Sequence, residues 1–201
     1  QLAHATSTGS QSNSVIALDR ISGDFVIAWQ GEGPDDGNGI HYRRFNSDGT
    51  PKDGTDQLAH STSGGEEKDP ALAMTTDGGF VIGWENDSNK IRFQLFNGLG
   101  TKLVSDQIDG PFSNSSGLSV STDATGGFTF AYQENGAIGR GIWRRGYNPD
   151  GTEKYGWTLV STGTRTNASI AMAADGTHLI TWQQNSSGSD VFGRLYDSGG
   201  N

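Results

Sequence analysis

The sequence predicts an all-β fold, a four-bladed β-propeller with four antiparallel strands per blade. Three observations predict it. An apolar run ending in an aromatic residue occurs four times, as GDFVIAWQ (23–30), GGFVIGWE (78–85), GGFTFAYQ (126–133) and GTHLITWQ (176–183). Its aromatic ends, Trp29, Trp84, Tyr132 and Trp182, are 55, 48 and 50 residues apart. The 201 residues include 31 glycines, and turn-forming Asn, Asp and Ser are frequent. Short strands joined by tight turns, repeated at about 50 residues, are the signature of propeller blades.

Each unit contributes the same elements in order. A small apolar segment comes first: SVIAL, PALAM, LSVST or ASIAM. A tight turn such as TTDGG or AADGT leads into the aromatic-ended run. The third strand follows: IHYRRF (40–45), IRFQLF (91–96), IWRRGY (142–147) or VFGRLY (191–196). The turns NSDGT, NGLGT, NPDGT and DSGGN come next, opened by Asn or Asp, as type I turns prefer. The fourth strand is short, near QLAH, QIDG or TLVS. We name the four strands A to D. The chain is read as one domain, with repeats of about 1–56, 57–106, 107–157 and 158–201.

QLAHATS at the start matches QLAHSTS at 57–63. The fourth repeat has no D strand of its own, so residues 1–7 are expected to complete it and close the ring. Closure would pair an otherwise open strand edge. Donation of that strand to a neighbouring chain, or two chains forming one larger ring, are alternatives that the pattern allows.

Composition restricts partners. Lys and Arg number 14 against 23 Asp and Glu, a formal charge of −9, which disfavours nucleic acid and anionic membranes. No apolar run is long enough for a membrane span, so membrane insertion is not expected. Cysteine is absent, which leaves neither disulfides nor thiolate metal sites.

The repeated aromatics are expected to pack between blades, because every unit keeps them among the same apolar neighbours. Trp143, which aligns with His41, Arg92 and Phe192, departs from the repeat and is a ligand-stacking candidate, as is Trp157. Arg43, Arg145 and Arg194 share one position with Gln94 and are expected in pairs between strands or blades.

Function is expected in the D–A and B–C loops, which vary between units and emerge on one face. They hold Asp35, Asp36, Asn38, Glu66, Glu67, Asp69, Asp87 and Asp190, candidate ligand-binding residues. Such oxygen-rich loops suit sugar hydroxyls or Ca²⁺, with Asp35, Asp36 and Asn38 of GPDDGNG (33–39) the candidate metal ligands. The A strands open with Asn13, Asp69, Ser116 and Asn167. With one acid among them, the paired carboxylates of a glycosidase are incomplete at this layer, although Glu66 and Glu67 lie nearby. Nucleophile-elbow, Walker and HExxH motifs are absent, and the chain is expected not to be an enzyme.

DGGFVIGWE (77–85) and GPDDGNGIHYRRFNSDGT (33–50) resemble a repeat of large secreted bacterial proteins of the RTX and adhesin type. The shared pattern is DGGFVxxWQ, an Asp/Gly-rich loop, then GIxxxRFDxDGT. Unit 3 departs from it with Tyr132, and unit 4 with His178. The resemblance implies export or cell-surface use, with calcium dependence. The expected function is therefore a secreted, lectin-like carbohydrate-binding module, calcium-assisted, whose partner is a glycan or another cell-surface or matrix component. A structural or adhesive protein-interaction domain, self-associating into a homo-oligomer, is the alternative; a glycan-active hydrolase ranks third.

Overall fold

The computed structural model describes all residues except 1–2, 6–8, 34–36, 62–64, 105–106, 110–113, 138 and 186–187. The chain folds into four antiparallel sheets with the expected order of strands. The first blade is β1 (Gln11–Leu18), β2 (Phe25–Gly31), β3 (Gly39–Phe45) and β4 (Gln57–Leu58). The second is β5 (Lys68–Met74), β6 (Phe80–Glu85), β7 (Ile91–Phe96) and β8 (Gln107–Asp109). The third is β9 (Ser115–Thr122), β10 (Phe128–Glu134), β11 (Gly141–Tyr147) and β12 (Glu153–Thr162). The fourth has three strands among the described residues, β13 (Arg165–Met172), β14 (His178–Asn185) and β15 (Ser189–Tyr196).

The turns repeat as the sequence requires. In each C–D turn the glycine N–H donates to the opening residue: Gly49 to Asn46, Gly100 to Asn97, Gly151 to Asn148 and Gly200 to Asp197. These glycines have φ of 79–84°, where a Cβ would be strained.

The A strands stand side by side around the axis. Ser119 and Ser121 Oγ accept the backbone N–H groups of Ile170 and Met172, and Thr122 Oγ1 donates to Met74 O. Apolar faces fill the space between blades. Phe80, Ile82 and Trp84 of β6 pack on Val26, Ala28, Ile40 and Tyr42 of the first blade. The other face of the second blade, including Val81, Ile91, Phe93 and Leu95, meets Phe128, Phe130 and Tyr132. Trp29, Trp84, Tyr132 and Trp182 are all buried, as core packing requires.

Strand register supports the alignment of the arginines, since Arg43, Gln94, Arg145 and Arg194 face Ile27, Ile82, Phe130 and Ile180. Arg43 Nε donates to Asp53 O, and Arg145 pairs with Glu153 at 2.5 Å, both links to the following C–D segment. The adjacent Arg44 bonds Asp53 at 2.5 Å and crosses to the second blade through Gly98 O at 3.0 Å. Asp53→Ala leaves that guanidinium poorly solvated and without its counterion. A urea titration should show a loss of about 3 kcal/mol, the lower end of the range for broken buried pairs.

Of the expected closing strand, residues 1–2 and 6–8 lie outside the described residues. Ala3, His4 and Ala5 are not in a strand; they lie against the first blade. Ala5 N–H donates to Asp56 Oδ1 at 2.7 Å, and the His4 ring tilts over Trp29 with centroids 6.3 Å apart.

Candidate functional site at the mouth of the axis

Each A strand carries a bulge near its start, where pairing to the B strand shifts register. The bulge residue is left-handed: Asn13 (φ 49°), Asp69 (φ 50°), Gly117 (φ 63°) and Asn167 (φ 57°). Asn, Asp and Gly are the residues that tolerate this conformation. Sequence alignment places Ser116 at this position in the third unit, but the backbone assigns it to Gly117, one residue on. Bulges re-aim side chains, commonly beside functional sites.

In three of the four blades the last residue of the aromatic-ended run serves these bulges, while Gln133 Nε2 in the third donates to Asn135 Oδ1. Gln30 Oε1 accepts the Asn13 side-chain N–H at 2.9 Å and the backbone N–H of Asp69, in the next blade, at 2.9 Å. Asn13 Nδ2 also donates to Asp69 Oδ1 at 2.8 Å, and Asn167 Nδ2 donates to Gln183 Oε1 at 2.8 Å. In the second blade the corresponding residue is Glu85. Its Oε1 accepts the backbone N–H of Gly117, again the next blade's bulge, at 2.8 Å. Gln30, Glu85, Gln133 and Gln183 are therefore one repeat position, and Glu85 is the acid among three amides.

Glu85 is buried, and burial is the main cause that pushes its carboxyl up to about 7. The Asp69 charge adds to this, while the Gly117 N–H and Lys68 oppose it. A cavity of about 360 Å³ is lined by Asn13, Asp69, Glu85, Ser116 and Gly117, with apolar floor from Val15 and Leu118. Two carboxyl groups thus share one cavity, one exposed and one buried. A-strand starts alone missed the second acid, which lies on a B strand. The legible signal was the departure of Glu85 from Gln at its repeat position.

Among the sequence-predicted residues, Asp69 lies in this cavity. Asp35 and Asp36 lie outside the described residues. Asn38 is exposed, and its carbonyl accepts the Glu67 N–H at 3.0 Å, bringing the first B–C loop against the next D–A loop. Glu67 is buried, its Oε2 3.7 Å from His60 Nε2, whereas Glu66 is exposed. A Cβ added at Gly65 would stand 3.3 Å from Asp87 Oδ2 and 3.7 Å from Glu67 Oε1, so both carboxylates border that loop. Asp190 is exposed within β15, away from the cavity lining. Trp143 is partly buried against the core between the second and third blades, and its indole N–H donates to Gly139 O at 2.6 Å. Trp157 is 41% exposed, with the Arg145 guanidinium 4.2 Å from its ring centre. Among the described residues, no group of three His, Asp or Glu side chains is arranged to hold a metal ion.

No family model matches the chain, and no curated protein matches it. Solved β-propeller structures do. A polysaccharide lyase of family PL25, an ulvan lyase, matches with a TM-score of 0.62 at 11% identity, over 95% of this chain and 53% of that one. A GH43 endo-arabinanase from Bacillus licheniformis matches with a TM-score of 0.52 at 13% identity, over 94% and 75%. An endo-1,4-β-xylanase from Bacteroides thetaiotaomicron matches with a TM-score of 0.52 at 12% identity, over 94% and 71%. The chain thus spans about half the length of the ulvan lyase. At these identities the likeness establishes the fold.

Proposed function

We propose that the chain is a glycan-binding propeller that holds a sugar at the mouth of the axis, between Asn13, Asp69 and Glu85. The observation that carries this reading is the bulge geometry. Several blades aim amide or carboxylate side chains at one end of the axis, and three of these residues border one cavity. Planar amide and carboxylate groups accept and donate to sugar hydroxyls with directional hydrogen bonds. The matched structures, named for activity on arabinan, xylan and ulvan, make a glycan the first ligand class to test. Extracellular placement and calcium assistance, expected from the repeat's resemblance, belong to the same proposal.

The test is a glycan array run with Ca²⁺ and with chelator, comparing wild type with Asn13→Gly and Asp69→Gly, which remove the side chains while tolerating the left-handed backbone at both positions. Binding reduced at least tenfold in both variants, with unfolding midpoints retained, is the expected result. Equal binding by the variants would remove the axial mouth from consideration, and indifference to chelator would remove calcium.

A second reading, glycan hydrolysis, is favoured by one observation. Glu85 holds its proton near neutral pH beside Asp69 in the same cavity. A protonated acid near an exposed carboxylate is the acid–base division that glycosidases use. Under this reading, incubation with arabinan or xylan releases reducing ends, and Glu85→Gln abolishes release while keeping binding. No release by wild type leaves the binding reading alone.

A further inference from the structure

Among the described residues, the packing that joins one blade to the next is missing at both ends of the row. In the second blade, Val81, Ile91 and Leu95 are 0%, 0% and 3% exposed against the third blade. Strand register places Leu179, Val191 and Leu195 at the same positions in the fourth blade. There they are 42%, 80% and 67% exposed. On the opposite side of the molecule, Ile16 of β1 is 64% exposed. Its counterpart Ile170 is 8% exposed within the core shared by the third and fourth blades.

The two open faces are complementary, because each is half of an interface the chain already makes three times. The seat next to the first blade is also marked by its aromatic contact. His60, which ends the first blade's D segment, tilts over Trp84 of the second blade at 5.9 Å and 48°. His4 tilts over Trp29 of the first blade at 6.3 Å and 53°. The segment Ala3–Ala5 therefore sits where the D strand of a preceding blade would lie. The sheet that lacks a D strand among the described residues is the fourth, whose outer strand is β15.

We propose that a second copy of this chain supplies the missing neighbour. The fourth blade of one copy packs on the first blade of the other, and Ala3–Ala5 of that copy lies along β15. The contact is heterologous, head to tail, and two such contacts close one ring from two chains. Closure would cover the aliphatic side chains and the open strand edge together.

Light scattering and sedimentation equilibrium of the full chain give the test. Wild type is expected at twice the chain mass. Val191→Glu with Leu195→Glu, and separately Ile16→Glu, place charge on one face each, and each is expected to halve the mass while keeping its β circular dichroism. Mixing the two variants should restore a one-to-one complex, because each keeps the face the other has lost. A monomeric wild type would overturn the proposal and leave the faces to further blades in a longer chain or to ring closure within one chain. A dimer that survives either substitution, or a mixture that stays monomeric, would also overturn it. If one variant fails to fold, the other face's variant still decides whether the dimer depends on these surfaces.

Discussion

Trp84→Ala is expected to lower the unfolding free energy by about 3–5 kcal/mol, the range for deleting a fully buried large aromatic side chain. Trp84 is completely buried between the first two blades, packed with Val26, Ile40 and Phe80, and His60 lies over its ring. The adjacent backbones are fixed by sheet ladders on both sides, so the cavity left by the indole cannot collapse. Urea unfolding followed by circular dichroism measures the effect. Trp84→Phe should recover a substantial part of the loss, because it returns apolar volume to the same place. A loss below about 1 kcal/mol would mean that the blades do not depend on this contact.

Glu85→Gln is expected to stabilise the protein, with an effect that depends on pH. The folded carboxyl titrates near 7 rather than at its ordinary value of 4.5, so the folded state binds the proton more tightly than the unfolded state. Its contribution is fully present below about pH 4.5 and is lost as pH rises through 7, where the buried carboxylate must carry its charge. The shift corresponds to a change on the order of 3 kcal/mol across that window. Glutamine retains an acceptor for Gly117, as Gln30 does for Asp69, and carries no charge to bury. Unfolding midpoints of wild type and variant should therefore agree at pH 4 and separate above pH 7, with the variant higher. Parallel curves across this range would contradict the burial of an ionisable Glu85.

The blades were legible because their determinants are local and repeated. The aromatic-ended runs, the Asn- or Asp-opened turns and the glycines at positive φ recur at one spacing, so four copies of a weak signal add up. The role of the core aromatics followed for the same reason. The candidate site was less legible because it is made by neighbouring blades. Glu85 acquires its acceptor role from Gly117, 32 residues away in the chain, and its raised affinity for protons from burial that no local pattern reveals. Glu67, counted in the sequence as a loop acid, is buried beside His60. Trp143 departs from the repeat, as a ligand platform would, yet it packs into a neighbouring core and donates its N–H to Gly139. The exposure of Val191 and Leu195 was hidden for the opposite reason: their sequence matches repeats in which the same positions are covered.

The most direct measurement is a crystal structure of the chain with an oligosaccharide taken from the glycan panel. The ligand should lie at the mouth of the axis, with hydroxyls bonded to Asn13 and Asp69 and one sugar oxygen facing Glu85. An oligosaccharide held instead against Trp143 or Trp157, or a panel from which none binds, would contradict the assignment.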